Sequence, residues 1–134
     1  MKIGINGYGR IGRDIVRAIY GKGLEGSFQV VAINDLSSAE VCAHLTKYDT
    51  TFGTLAAEVG HDENNLLING RKIPFSQHKT PAEIPWNTLG VDIVFECAGK
   101  FKKHALLEAI CKPVHLRYWH LTRSVMLTLL LFMP

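Results

Sequence analysis

The residues best placed to do chemistry stand at the start of the chain. Gly7, Gly9 and Gly12 follow G-x-G-x-x-G spacing. A short apolar run, Lys2 to Asn6, leads into them, and a segment with Ile11, Ile15, Val16, Ile19 and Tyr20 at helical period leads out. This strand, turn and helix suit a diphosphate. Gly7 can take the tight turn, Gly9 can let the backbone approach the phosphates, and Gly12 can let helix and strand pack. The helix N-terminus offers unpaired N–H groups to the anion. The plainer alternative is a glycine-rich turn with no ligand.

A second apolar strand, Phe28 to Ile33, ends in Asn34 and Asp35. Asp35 lies about 23 positions beyond Gly12, near the spacing at which a carboxylate meets the adenosine ribose. An acid there accepts from the ribose hydroxyls and repels an added 2′-phosphate, which favours NAD over NADP. The alternative for Asp35 is a helix cap or turn former before Ser37 and Ser38.

The elements that must position these residues follow from the pattern. Helices are expected at Arg10 to Tyr20, Ser38 to Tyr48 (inner face Val41, Cys42, Leu45 and Tyr48) and Phe101 to Ile110. Tyr48 to Gly53 reads as a loop. Leu66 to Ile68 and Lys72 to Phe75 flank Asn69-Gly70, a type I′ hairpin signal. Val91 to Glu96 reads as a strand buried on both faces. Alternating strands and helices predict an open, doubly wound and mostly parallel sheet with an inserted β-hairpin. Its carboxyl edge would gather Asn6, Asp35 and Glu96 to Gly99 in one crevice.

Composition bounds the rest. The chain has 134 residues, 47% hydrophobic and 20% charged, with a net charge of +3, consistent with one globular core. No basic run exceeds Lys102-Lys103, so nucleic acid is not implied. Three cysteines at irregular spacing make neither a disulfide framework nor a metal motif, and the six histidines show no ligand spacing. With no leader pattern before the first strand, a reducing cytoplasm is expected. The apolar stretch Val125 to Met133 is too short to span a bilayer.

Five ordered motifs resemble the N-terminal NAD-binding domain of the glyceraldehyde-3-phosphate dehydrogenase family. They are INGYGRIGR at Ile5 to Arg13, AIND at Ala32 to Asp35, HLTKYDTTFG at His44 to Gly53, IPW at Ile84 to Trp86 and ECAG at Glu96 to Gly99. Erythrose-4-phosphate dehydrogenase is also similar. The resemblance runs from Met1 to about Ala109. It implies a Rossmann-type domain, NAD as cofactor, and a cytoplasmic homotetramer completed by a catalytic domain. By the same resemblance, Arg10 and Ile11 offer backbone N–H groups to the diphosphate and Asp35 holds the ribose. Lys79 stands near the adenine end, where His78 replaces the usual acid. Cys97, Ala98 and Gly99 flank the nicotinamide, Ala98 standing where threonine is usual. With Asn6, Gly7, Gly9, Gly12 and Asn34, these make the expected cofactor site.

The family's Ser-Cys-Thr-Thr-Asn-Cys motif is absent from these residues, so no catalytic residue is assigned. Cys42 reads as core. Residues 1–110 are expected to form the NAD-binding unit, and residues 111–134 a non-family apolar tail lacking order. Re-read one nucleotide out of register, Ala109 to His115 can encode His-Leu-Gln-Ala-Gly-Ala, and Val125 to Met133 can encode Asp-Val-Asp-Ala-Thr-Val-Val-Tyr, two family motifs in order. A frameshift near Ala109 is therefore expected, leaving the edge of Val91 to Glu96 without its covering strands. An enzyme fragment that binds NAD and a non-enzymatic nucleotide-binding or subunit-docking module both fit this reading.

Overall fold

The computed structural model describes residues 1–99 and the backbone of 117–120. The elements are β1 (Lys2–Asn6), α1 (Arg10–Gly21), β2 (Gln29–Asn34), α2 (Ala39–Lys47), β3 (Tyr48–Asp49), β4 (Gly53–Thr54), β5 (Val59–His61), β6 (Asn65–Ile68), β7 (Arg71–Ser76), a 3₁₀ turn (Pro81–Glu83), β8 (Ile93–Glu96) and β9 (Arg117–His120). The helix expected at Phe101 to Ile110 lies outside the described residues.

One seven-stranded sheet runs β5-β6-β7-β2-β1-β8-β9. From β7 to β9 every pairing is parallel, while β6 pairs antiparallel with both β5 and β7. From β1 the chain crosses to β2 on one side and later reaches β8 on the other. The gap between β1 and β8 is thus the switch point at which open α/β sheets hold ligands. This is a Rossmann-type arrangement.

Packing follows burial on both faces of the central strands. Ile3, Ile5, Val30, Ile33, Ile93 and Phe95 join Ile15, Val16 and Ile19 of α1 and Cys42 and Ala43 of α2 in the main core. A smaller cluster of Ala32, Ile84, Trp86, Val91 and Val94 is also buried against the sheet. Gly4 makes room for it, since a Cβ there would come within 2.7 Å of the Trp86 ring.

The Asn69-Gly70 turn forms as expected, with φ of 50° and 76°, the paired left-handed values a type I′ hairpin needs. The hairpin is joined at β5 by a third strand that the pattern did not reveal. It is also tied into the sheet through β7, where Phe75 pairs with Ile33 and Ser76 with Asn34.

Three expectations are corrected. The inner face of α2 is Ala39, Cys42, Ala43 and Thr46, whereas Val41, Leu45 and Tyr48 are exposed. Thr46 turns inward because its hydroxyl donates to Cys42 O at 2.6 Å and meets the Tyr8 hydroxyl at 2.9 Å, satisfying a polar group in the core. The expected loop at Tyr48 to Gly53 is a β3–β4 hairpin instead. Asp49 Oδ1 accepts from the amides of Thr51 and Phe52 and closes its turn. Last, the outer edge of β8 is not bare, because β9 pairs with it over four residues.

Candidate functional site

The site is built on the turn between β1 and α1. Gly7 has φ of 89°, and a Cβ there would lie 2.4 Å from Ala98 N, so only glycine fits. Gly12 packs as tightly: a Cβ would lie 2.4 Å from Gly7 O. Gly9 differs, with nothing within 4 Å of a Cβ position, so open space lies over the backbone where a phosphate would approach. Gly9 also begins α1 without a side-chain cap, which leaves the first-turn amides of Arg10 and Ile11 without intrahelical acceptors.

Tyr8 pins this turn. Its ring is buried, its amide donates to Asp35 Oδ2 at 2.7 Å, and Arg13 donates to its carbonyl at 3.2 Å. Burial pushes the phenol well above its ordinary range and keeps it neutral. Asp35 Oδ1 accepts from the Ser37 amide at 2.8 Å, so the turn-forming role is real, while Ser38 is the residue that caps α2. Each carboxylate oxygen has thus accepted one bond from these amides, and a carboxylate has about four lone-pair sites, so capacity remains for sugar hydroxyls.

Beneath the turn lies a floor of hydrogen-bonded side chains. Asn34 Nδ2 donates to Asn6 Oδ1 at 2.9 Å, and Asn6 Nδ2 to Glu96 Oε2 at 2.7 Å. Ser76 Oγ and the His78 amide, both at 2.8 Å, donate to Asn34 Oδ1. The buried Glu96 also takes the Ala98 amide on Oε1 at 2.8 Å. The amides of Asn6 and Asn34 are thereby committed to holding β1, β2 and β8 in step.

A crevice of about 440 Å³ opens above this floor at the strands' carboxyl ends. Of the expected residues, Asn6, Gly7, Gly9, Asn34, Asp35, Lys79 and Cys97 line it. Arg10, Ile11 and Gly12 stand behind it in α1, and Gly99 lies past the end of β8 with φ of 70°. Leu36, His78 and Ala98 complete the wall. Leu36 was missed, its one signal being its place directly after Asp35. At one end, next to Lys79, His78 Nδ1 lies 3.9 Å from Glu83 Oε2. At the opposite side burial, with the Glu96 carboxylate adding to it, pushes the Cys97 thiol up to about 12. It is a protonated wall residue at neutral pH. Cys42 is likewise pushed up to about 12 by burial, as a core thiol should be. Among the described residues no group of His, Cys, Asp and Glu could hold a metal ion, and no helix is long and apolar enough to cross a membrane.

A narrow turn over open space, uncapped helical amides and a carboxylate on the next strand fit a dinucleotide: the fold and the crevice define a Rossmann-type nucleotide-binding unit. Residues 1–104 match the family model described as glyceraldehyde 3-phosphate dehydrogenase, NAD binding domain. The chain belongs to this family, whose domain takes NAD as its cofactor.

It is 49% identical over 102 residues to glyceraldehyde-3-phosphate dehydrogenase 1 of Bacillus cereus, covering 76% of this chain and 30% of that protein. The Pseudomonas aeruginosa glyceraldehyde-3-phosphate dehydrogenase is 50% identical over 101 residues, covering 75% of this chain and 30% of its own. That of Streptomyces coelicolor is 47% identical over 105 residues, 78% of this chain and 31% of its own. The chain thus spans about three tenths of the length of the curated relatives it matches.

Proposed function

We propose that this chain holds NAD in the crevice between β1 and β8, as the cofactor-binding part of a dehydrogenase of the glyceraldehyde-3-phosphate type. The observation that carries this reading is the bond from the Tyr8 amide to Asp35 Oδ2, which locks the glycine turn and the ribose-seeking carboxylate into one wall. The backbone of Gly9, Arg10 and Ile11 would receive the diphosphate and Asp35 the adenosine ribose. Lys79 would stand by the adenine, and Cys97 and Ala98 would flank the nicotinamide. NAD when bound supplies a hydride acceptor. The chain's own residues bind and orient it; at the crevice the Cys97 thiol stays protonated, and the family's catalytic cysteine motif is absent from the sequence.

Binding without aldehyde oxidation is therefore the activity proposed for residues 1–134. The wider role, oxidation of a phosphorylated sugar aldehyde in glycolysis within a cytoplasmic homotetramer, belongs to a longer protein of this family. Calorimetric titration with NAD tests the reading. Saturable heat that Asp35→Ala reduces supports it, and absence of heat from folded protein refutes it.

A second reading, a subunit-docking module, is favoured by one surface. Val41, Leu45, Tyr48 and Phe52 are 48%, 38%, 53% and 66% exposed on α2 and the adjoining hairpin. Co-purification with a full-length homologue, lost on Leu45→Glu, tests it.

A further inference from the structure

A second crevice, of about 530 Å³, lies away from the glycine turn, between α2 and the outermost strand β5. Val41 and Leu45 of α2, with Tyr48 just after it, line one wall, and Val59, Gly60 and His61 line the other. The first three are exposed, and the His44 ring braces that of Tyr48 with centroids 5.1 Å apart. Among the described residues β5 pairs with β6 alone.

The backbone of β5 alternates in a definite phase. Asn69 N donates to Glu58 O at 2.8 Å and Asp62 N to Asn65 O at 3.0 Å, so Glu58 and Asp62 turn toward β6. In an antiparallel ladder alternate residues share a side. Gly60 therefore turns with them, and the N–H and C=O groups of Val59 and His61 face outward at the rim of the crevice. Such an edge is a template for one more extended strand.

The side chains say which strand. Val59 and His61 pair with Ile68 and Leu66, both fully buried in the core, so all four stand on the α2 face. Incoming residues opposite Val59 and His61 share that face and meet Val41, Leu45 and Tyr48, which calls for apolar side chains. Those opposite Glu58 and Asp62 fall on the other face beside two carboxylates, which calls for Lys or Arg. Asp62 also meets Lys72 at 3.4 Å, in an exposed pair. Glu40 adds a carboxylate to the crevice, while Lys47 Nζ is spent on Leu55 O and Ala57 O at 3.0 and 2.6 Å. The same charges refuse a second copy. Antiparallel pairing of two β5 strands about Gly60 would set Glu58 of each against Asp62 of the other.

We propose that the β5 edge, with the α2 face beside it, binds an extended peptide of a partner protein with the pattern basic, apolar, any, apolar, basic. The occupant is a single added strand rather than a folded homologue, and the site is separate from the NAD crevice.

The test is fluorescence anisotropy of the full chain with a labelled Thr-Lys-Val-Thr-Val-Lys-Thr peptide. Saturable binding is expected, with hydrogen exchange slowed at the Val59 and His61 amides more than at Gly60. Methylating the backbone nitrogens of both peptide valines should abolish binding. Glu58→Lys, at an exposed position, should weaken this peptide about two- to fivefold and strengthen the version with Glu for both Lys. No saturable binding, equal binding of the methylated peptide, or protection away from β5 overturns the proposal. So does a full-length homologue that binds where the peptide does not. A concentration-dependent dimer in sedimentation, with the Val59 and His61 amides already protected, overturns it in favour of a second copy.

Discussion

Single residues in the crevice divide into those that shape it and those that meet its ligand. Gly7 shapes it. Gly7→Ala meets Ala98 N at 2.4 Å and keeps a left-handed φ, so the variant should lose about 2–4 kcal/mol in urea unfolding, or fail to fold. Asp35 is the residue proposed to meet the ligand. Asp35→Asn keeps acceptors for sugar hydroxyls but loses the charge, so its NAD affinity should fall less than that of Asp35→Ala while its NADP affinity rises. Unchanged selectivity in calorimetry would remove the ribose role. Cys97 should be slow to alkylate. In a Cys111→Ser background, iodoacetamide at pH 8 should react with the remaining thiols at least about tenfold more slowly than with a free thiol, because both are pushed up to about 12. Added NAD should slow Cys97 further, as mass spectrometry of the labelled peptide would show.

Among elements, α1 and α2 are joined by one buried cation. Arg17 donates from Nη1 to Thr46 O at 2.6 Å and from Nη2 to Gly53 O at 2.8 Å, tying α1 to the end of α2 and to the β3–β4 hairpin. Arg17→Met keeps the apolar stem but strands those carbonyls, so it should cost about 2–3 kcal/mol by denaturant titration. Hydrogen exchange at residues 46–54 should rise more than that of β1. A helical wheel of α2 points Val41, Leu45 and Tyr48 inward, because it ranks residues by apolarity. The fold prefers Thr46 inside, since Tyr8 and Cys42 O satisfy its hydroxyl there. The same limit hides β5: Val59, Gly60 and His61 show no alternation, and they become a strand only because Leu66 to Ile68 lie alongside. The glycine turn and the Asn69-Gly70 hairpin were legible, because left-handed φ values and close approach demand particular residues whatever surrounds them.

For the molecule as a whole, pH should act from both sides. Burial raises the Cys42 and Cys97 thiols from 9.0 to about 12, and it raises Tyr8 as well. A raised acid stabilises fully below its unfolded value, so this contribution is complete below pH 9 and is lost as pH climbs toward about 12. Cys42→Ala with Cys97→Ala should flatten the alkaline fall seen in urea unfolding between pH 9 and 11. On the acid side Asp49 is held below its usual value by the Phe52 and Thr51 amides, and Asp62 by the Asn64 amide and the Asn65 side chain. Their contributions are present above the usual carboxylate range and fade as pH falls through the lowered values. Asp14, raised by burial and by Asp49, works in the opposite sense and blunts that fall.

The amino-acid sequence by itself determined the features that depend on backbone conformation and short-range order. These are the G-x-G-x-x-G turn between a strand and a helix, the acid after the second strand, the type I′ hairpin and, through its five motifs, the family. Only the tertiary structure decided which polar groups are consumed in holding the crevice and which remain for a ligand. Asn6 and Asn34 became its floor because Glu96, Ser76 and the His78 amide, distant in the chain, arrive beside them. It also decided that residues 117–120 close the edge of β8. Strand pairing is a bargain between distant backbones, and no local pattern of side chains can announce it.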